Sequence, residues 1–141
     1  MFSPPLRALL LIDDHIPGFQ FRKGVLESLG YSVITATSTS TALAKLENCA
    51  IDAVLLEYKS EGLDAETTAS QIKQHFPDLP IVLLSAHSGL PERILWLVDE
   101  YAMKSEPLEG LAHVLERVIR SPKVCTTGMP LEIQQEQLKR L

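Results

Sequence analysis

Short continuous apolar runs alternate along this chain with longer stretches whose apolar residues fall at helical spacing. The first run, A-L-L-L-I at Ala8 to Ile12, stops at Asp13 and Asp14. A run of this length with no polar alternation is the pattern of a strand buried on both faces. Phe19 to Leu29 follows, with Phe21 or Phe19, Val25 or Lys23, Leu26 and Leu29 near helical spacing and Gly30 where a helix C-terminus wants it. Tyr31 to Ala36 is rich in β-branched residues and predicts a second strand. The Ser/Thr cluster at Thr37 to Thr41 then offers caps for a helix carrying Ala42, Leu43 and Leu46. Ala53 to Leu56 is a third strand, and Asp64 caps a third helix to about His75, ahead of Pro77. Ile81 to Leu84 is a fourth strand, Pro91 suits the first turn of a fourth helix through Leu97, and Tyr101 to Met103 is a short fifth strand. Pro107 opens a fifth helix with Leu108, Leu111, Val114, Leu115, Val118 and Ile119 on one side.

Strand and helix thus alternate five times. Apolar strands in that alternation predict a parallel sheet covered on both faces, and right-handed crossovers restrict it to a doubly wound α/β fold. Functional groups of such folds gather beyond the carboxyl ends of the strands. The 141 residues are the size of one domain. A net charge of −5 and the lack of a basic run disfavour nucleic acid as a partner. No run approaches a membrane span, no signal-peptide pattern opens the chain, and two cysteines at unrelated positions fit a reducing compartment, so the expected location is the cytoplasm.

At the carboxyl ends of the expected strands stand Asp13 and Asp14 after the first, Glu57 after the third, Ser85 after the fourth and Lys104 after the fifth. Each alone reads as a solvated loop residue or a cap. Together, clustered carboxylates call for a cation, and an oxygen-rich set of this kind suits Mg²⁺. A hydroxyl and an ammonium opposite would bind the oxygens of a phosphoryl group.

The motifs L-I-D-D, G-Y-S-V-I-T-A, D-A-V-L-L-E-Y, L-P-I-V-L-L-S-A and Y-A-M-K, in this order, resemble the receiver domain of two-component response regulators over about Leu6 to Arg120. The resemblance implies a CheY-like, flavodoxin-like (βα)5 domain with strand order 2-1-3-4-5 over residues 1–120. A tail or short extra helix occupies residues 121–141. It also implies a phosphoryl group taken from a sensor histidine kinase onto an aspartate, with Mg²⁺ held by the acidic pair Asp13 and Asp14. Ser85 matches the family's switch hydroxyl, Tyr101 its switch aromatic and Lys104 its lysine, while Glu57 falls on the phosphoacceptor. The implied partners are a histidine kinase or a downstream signalling protein. The fourth helix, fifth strand and fifth helix form the family's usual output face and the expected contact of a homodimer.

Glutamate in the acceptor's place changes the expectation. One added methylene moves the carboxylate by more than an ångström, a C–C bond being about 1.5 Å. In-line phosphoryl transfer depends on placement, and such a shift can cost about a hundredfold. The expected protein is therefore a pseudo-receiver, a binding module and not an enzyme, with Mg²⁺ weak or absent. Its Glu57 either mimics the phosphorylated state, paired with Lys104, or is an inactivated site. The alternatives are a working Mg²⁺-dependent phosphoacceptor and, at Glu57, a slow glutamyl phosphate. Other departures from the family are Glu61 where proline is usual, Ala65 where glycine is usual, W-L-V-D-E-Y before the fifth strand, and S-E-P after Lys104. The fourth helix should be short or irregular. Trp96 is expected to pack in the core, with a role as an exposed partner anchor as the alternative.

The remaining residues suggest no chemistry. His15 reads as a solvated loop histidine, His75, His87 and His113 lack mutual metal spacing, and Cys49 reads as a small apolar filler. Gly18, Gly24 and Gly30 form no phosphate-cradling loop.

Overall fold

The computed structural model describes residues 7–58, 64–86, 89–104 and 108–120. The elements follow the apolar runs: β1 (Ala8–Ile12), α1 (Ile16–Ser28), β2 (Ser32–Ala36), α2 (Thr39–Asn48), β3 (Ala53–Glu57), α3 (Ala65–His75), β4 (Ile81–Ser85), α4 (Glu92–Leu97), β5 (Glu100–Met103) and α5 (Leu108–Arg120). The five strands form one sheet in the order β2-β1-β3-β4-β5. All pairings are parallel, with Leu10 of β1 opposite Ile34 of β2 and Val54 of β3, and Leu55 of β3 opposite Val82 of β4. This is the flavodoxin-like doubly wound fold.

Because successive strand residues face opposite sides, the apolar runs split into two cores. Leu9, Leu11, Leu55, Val82 and Leu84 pack with Leu26 of α1 and Leu111, Val114 and Leu115 of α5. Leu10, Ile12, Val54, Leu56, Ile81 and Leu83 pack with Ala42 and Leu46 of α2, Ala69 and Ile72 of α3 and Ile94 of α4. Each fully buried leucine contributes about 1.5–3 kcal/mol relative to exposure. The strands need no polar alternation because both faces are covered.

The helix starts are built from local side chains. The Ser38 side chain accepts from the Thr41 N–H at 3.2 Å at the head of α2, and Asp64 accepts from the Thr67 N–H at 3.2 Å at the head of α3. His15, expected as a plain loop histidine, caps α1 by accepting from the Gly18 N–H on Nδ1 at 3.2 Å. A Cβ at Gly18 would lie 2.8 Å from that nitrogen, so the cap requires glycine there. Gly30 has φ of 100°, the left-handed turn that ends α1. Cys49 is a half-buried free thiol at the end of α2.

Two expectations about side chains are corrected. Phe21 is 71% exposed and Leu29 is exposed as well, so neither belongs to the inward stripe of α1. At about 100° per residue, position 22 lies about 40° from the buried Leu26, whereas position 21 lies about 140° away. Trp96 is 84% exposed and not part of the core. As expected, α4 is short, spanning six residues. It buries Ile94, and a side chain two positions later points about 200° round the axis.

In place of a small turn before β5 stands Asp99. Its Oδ2 accepts from the Ile81 N–H at 2.8 Å and from Lys73 Nζ at 2.7 Å, tying β5 to the start of β4 and the end of α3. The departures at Glu61 and in S-E-P, together with His87 and the segment 121–141, lie outside the described residues. Among the described residues no helix is long and apolar enough to cross a membrane.

Candidate functional site

The sheet brings its candidate residues to one edge because every strand runs the same way and ends at the same level. Asp13 follows β1 directly and is 2% exposed, its N–H donating to Ala36 O at 3.1 Å. Asp14, one residue further, is exposed. Glu57 is the last residue of β3, opposite Leu84, and is 1% exposed. Ser85 is the last residue of β4 and fully buried. Lys104 follows β5, and its N–H donates to Ser85 O at 2.8 Å, carrying the β4–β5 pairing one residue further. Tyr101 lies in the middle of β5 opposite Leu83, with its side chain exposed.

At the centre of this edge is a buried carboxylate between two cations. Glu57 Oε1 is ion-paired with Lys104 Nζ. Its Oε2 accepts from Arg22 Nη1 at 3.2 Å. The same Arg22 nitrogen lies 3.8 Å from Asp13 Oδ2, and Asp13 Oδ1 accepts from the His15 N–H at 2.9 Å. One guanidinium thus joins the acid that ends β3 to the acid that follows β1. Burying a carboxylate this deeply is costly unless it is paired, and Glu57 has an ion pair on each oxygen and a hydrogen bond from Arg22 on Oε2.

Arg22 was missed in the sequence, although a signal was there. It lies one helical turn ahead of the buried Leu26, on the inward side of α1, where an apolar residue would continue the stripe. The α1 axis carries that position up to the carboxyl edge of the sheet, so a long cationic side chain there reaches the acids. Arg22 and Lys104 also wall a cavity of about 100 Å³ with Phe21, Val25, Leu84, Met103 and Leu111. Burial lowers the Arg22 pKa from the ordinary guanidinium value, with Asp13 opposing. Lys104 is likewise held below the ordinary lysine value, first by burial and then by repulsion from Arg22, again with Asp13 opposing.

The donor set does not present an open cation site. Both Glu57 oxygens are engaged by cationic side chains, and the Asp13 oxygens face a backbone N–H and a guanidinium. Among the described residues, no group of three His, Cys, Asp or Glu is arranged to hold a metal ion.

A family model for the response regulator receiver domain matches residues 9–103, about two thirds of the chain. The chain belongs to the response regulator receiver family. This receiver is similar to the transcriptional regulatory protein QseB of Haemophilus influenzae, 32% identical over 118 residues, which span 82% of this chain and 53% of that protein. It is also similar to the response regulator MprA of Mycobacterium sp. (strain KMS), at 32% over 119 residues, 82% of this chain and 51% of the relative. The receiver spans about half the length of these curated relatives. Among solved structures, it matches TrrA of Thermotoga maritima in complex with Mg²⁺ and BeF with a TM-score of 0.73 and 27% identity, over 80% of this chain and 99% of that one. The receiver domain of NtrX from Brucella abortus matches with a TM-score of 0.73 and 26% identity, over 81% and 99% of the two chains.

Proposed function

We propose that this receiver is a pseudo-receiver, a protein-binding signalling module in which Glu57 stands where other receivers carry the phosphoacceptor aspartate. The observation that carries this reading is the Glu57 carboxylate, 1% exposed and engaged on one oxygen by Lys104 and on the other by Arg22. A carboxylate that attacks phosphorus must direct a lone pair at it in line with the leaving group. Here both oxygens already serve two cations. The Glu57–Lys104 pair joins the end of β3 to the end of β5 through charge held in the side chain itself, as a phosphoryl group on a shorter acid would join them through added charge. The domain then rests in one signalling state without a phosphoryl donor and acts by binding rather than catalysis. Its partner is a histidine kinase or a downstream signalling protein, or a second copy of the chain. The contact surface is α4, β5 and α5, where Trp96 and Tyr101 are exposed.

The test is intact-mass spectrometry after incubation with acetyl phosphate and Mg²⁺, followed by amide NMR of wild type and Glu57→Gln. Wild type should gain no phosphoryl mass. A phosphoryl adduct that maps to Glu57 would overturn the reading in favour of a working phosphoacceptor. Glu57→Gln should move amide signals of β5 and α4, because the charge that Lys104 meets is gone. Signals unchanged beyond the immediate neighbours of residue 57 would reduce Glu57 to an inactivated site with no mimicry.

A further inference from the structure

The two carboxylates of this site that approach full burial share a cation supplied by the chain. Arg22 Nη1 lies 3.2 Å from Glu57 Oε2 and 3.8 Å from Asp13 Oδ2, and these acids are 1% and 2% exposed. They come from different strands, β3 and the end of β1, so the guanidinium bridges them as a bound cation would. Removing Arg22 would leave two buried like charges with one fewer cation to offset them, an arrangement that recruits a cation or a proton.

The charge balance shows what Arg22 does to a divalent ion. Asp13, Asp14, Glu57, Arg22 and Lys104 sum to −1, from three acids and two cations. A divalent ion would turn that to +1, with a guanidinium already 3.2 Å from one Glu57 oxygen and 3.8 Å from one Asp13 oxygen. Water screens little of that repulsion, because Asp13 and Glu57 are buried and the Arg22 side chain is only 22% exposed. Mg²⁺ also requires near-octahedral oxygen geometry and gives up its own waters reluctantly, so it competes poorly for carboxylates already bonded elsewhere.

We propose that the Arg22 guanidinium is the resident cation of this receiver, and that its charge, rather than any shortage of acids, excludes Mg²⁺. The proposal deepens the pseudo-receiver reading and rests on it: the site is held in one state by a cation that cannot dissociate. Sensitivity to divalent metal, a second input besides phosphoryl transfer, is removed by the same side chain.

The experiment uses the full chain, labelled with ¹⁵N, with Mn²⁺ as a paramagnetic probe and Mg²⁺ as the competitor. In R22Q, the amide signals of Asp13, Asp14 and Glu57 should broaden at Mn²⁺ concentrations at least about tenfold below any that affect wild type, the size expected from removing one full charge at contact distance. Excess Mg²⁺ should restore them. R22K keeps the charge and should behave like wild type. Broadening of wild type at the same Mn²⁺ concentration as R22Q overturns the proposal. So does a folded R22Q, judged by circular dichroism and a dispersed spectrum, that responds no more than wild type. Wild type supplies an arm that needs no variant: Mg²⁺ should leave its thermal midpoint unchanged, and a saturable rise would overturn the proposal. The two readings fail separately. Wild type that ignores metal yet takes a phosphoryl group on Glu57 sinks the pseudo-receiver reading. Wild type that binds metal yet stays unmodified sinks the role of Arg22.

Discussion

Removing Arg22 and Lys104 one at a time and then together measures how far the Glu57 charge depends on them. In R22M, Glu57 keeps its Lys104 pair; in K104M, it keeps the 3.2 Å contact to Arg22. Either change removes a charged interaction, and it also relieves the desolvation of a cation whose side chain is only 22% or 28% exposed. The two effects oppose each other, so each single variant should lose about 1 kcal/mol. In the double variant the carboxylate is left 1% exposed, beside Asp13, with neither cation. An uncompensated buried charge costs about 3–5 kcal/mol, so the double variant should lose about 4 kcal/mol. The coupling is then about 2 kcal/mol, well above the few tenths found for independent sites. Equilibrium urea unfolding followed by circular dichroism is the assay. At a slope of about 2 kcal/mol per molar, the double variant's midpoint should fall by about 2 M and each single variant's by about 0.5 M. Costs that simply add, or singles that cost nothing, would show that Glu57 is held by its burial and backbone and that the two cations are ordinary surface partners. The triple variant with Glu57→Leu should recover much of the loss, because an apolar side chain needs no partner.

The cap of α3 offers a pH-dependent test. The Thr67 hydroxyl and then its N–H hold Asp64 below the ordinary carboxylate value of 3.8. A depressed carboxylate stabilises the fold above that value and loses its contribution as pH falls through the lower folded value. Asp64→Ala should therefore cost about 1 kcal/mol near neutral pH in thermal or urea unfolding, with the gap to wild type closing on acidification below 3.8. Asp99→Ala should cost about 2 kcal/mol, because it strips the acceptor from the Ile81 N–H and a charged partner from Lys73, which keeps its contact to Leu79 O; a loss under about 0.5 kcal/mol would mean that water replaces both contacts.

Much of the framework is legible in the sequence because it depends on local order and on period. The runs at Ala8 to Ile12, Ala53 to Leu56 and Ile81 to Leu84 are apolar without alternation, which only a doubly covered strand tolerates. Ser38 and Asp64 cap helices through atoms three residues away, a range the sequence displays directly. The pattern is weaker where an element is short or half-covered. In α4 a single turn and a half gives too few positions to show which side is inward, so the sequence pattern points Trp96 to the core whereas the structure exposes it. In α1, Phe21 looked like the better inward residue because it is apolar, while Arg22 holds the inward position.

The sequence by itself determined the alternation of strands and helices, the acids, hydroxyl and lysine at the strand ends, and the glutamate at position 57. Parallel strands must present their carboxyl ends together, so those residues were bound to share one edge of the sheet. Only the tertiary structure decided what they meet. Arg22 is nine residues beyond Asp13 and 35 before Glu57 in the chain, and nothing along that separation says that its nitrogen lies between them. Leu26 of α1 is buried with Leu9 and Leu11 of β1 and Leu55 of β3, and that packing seats the helix that carries Arg22 on the sheet. Packing of apolar groups, which is close and non-directional, fixes where the charges meet.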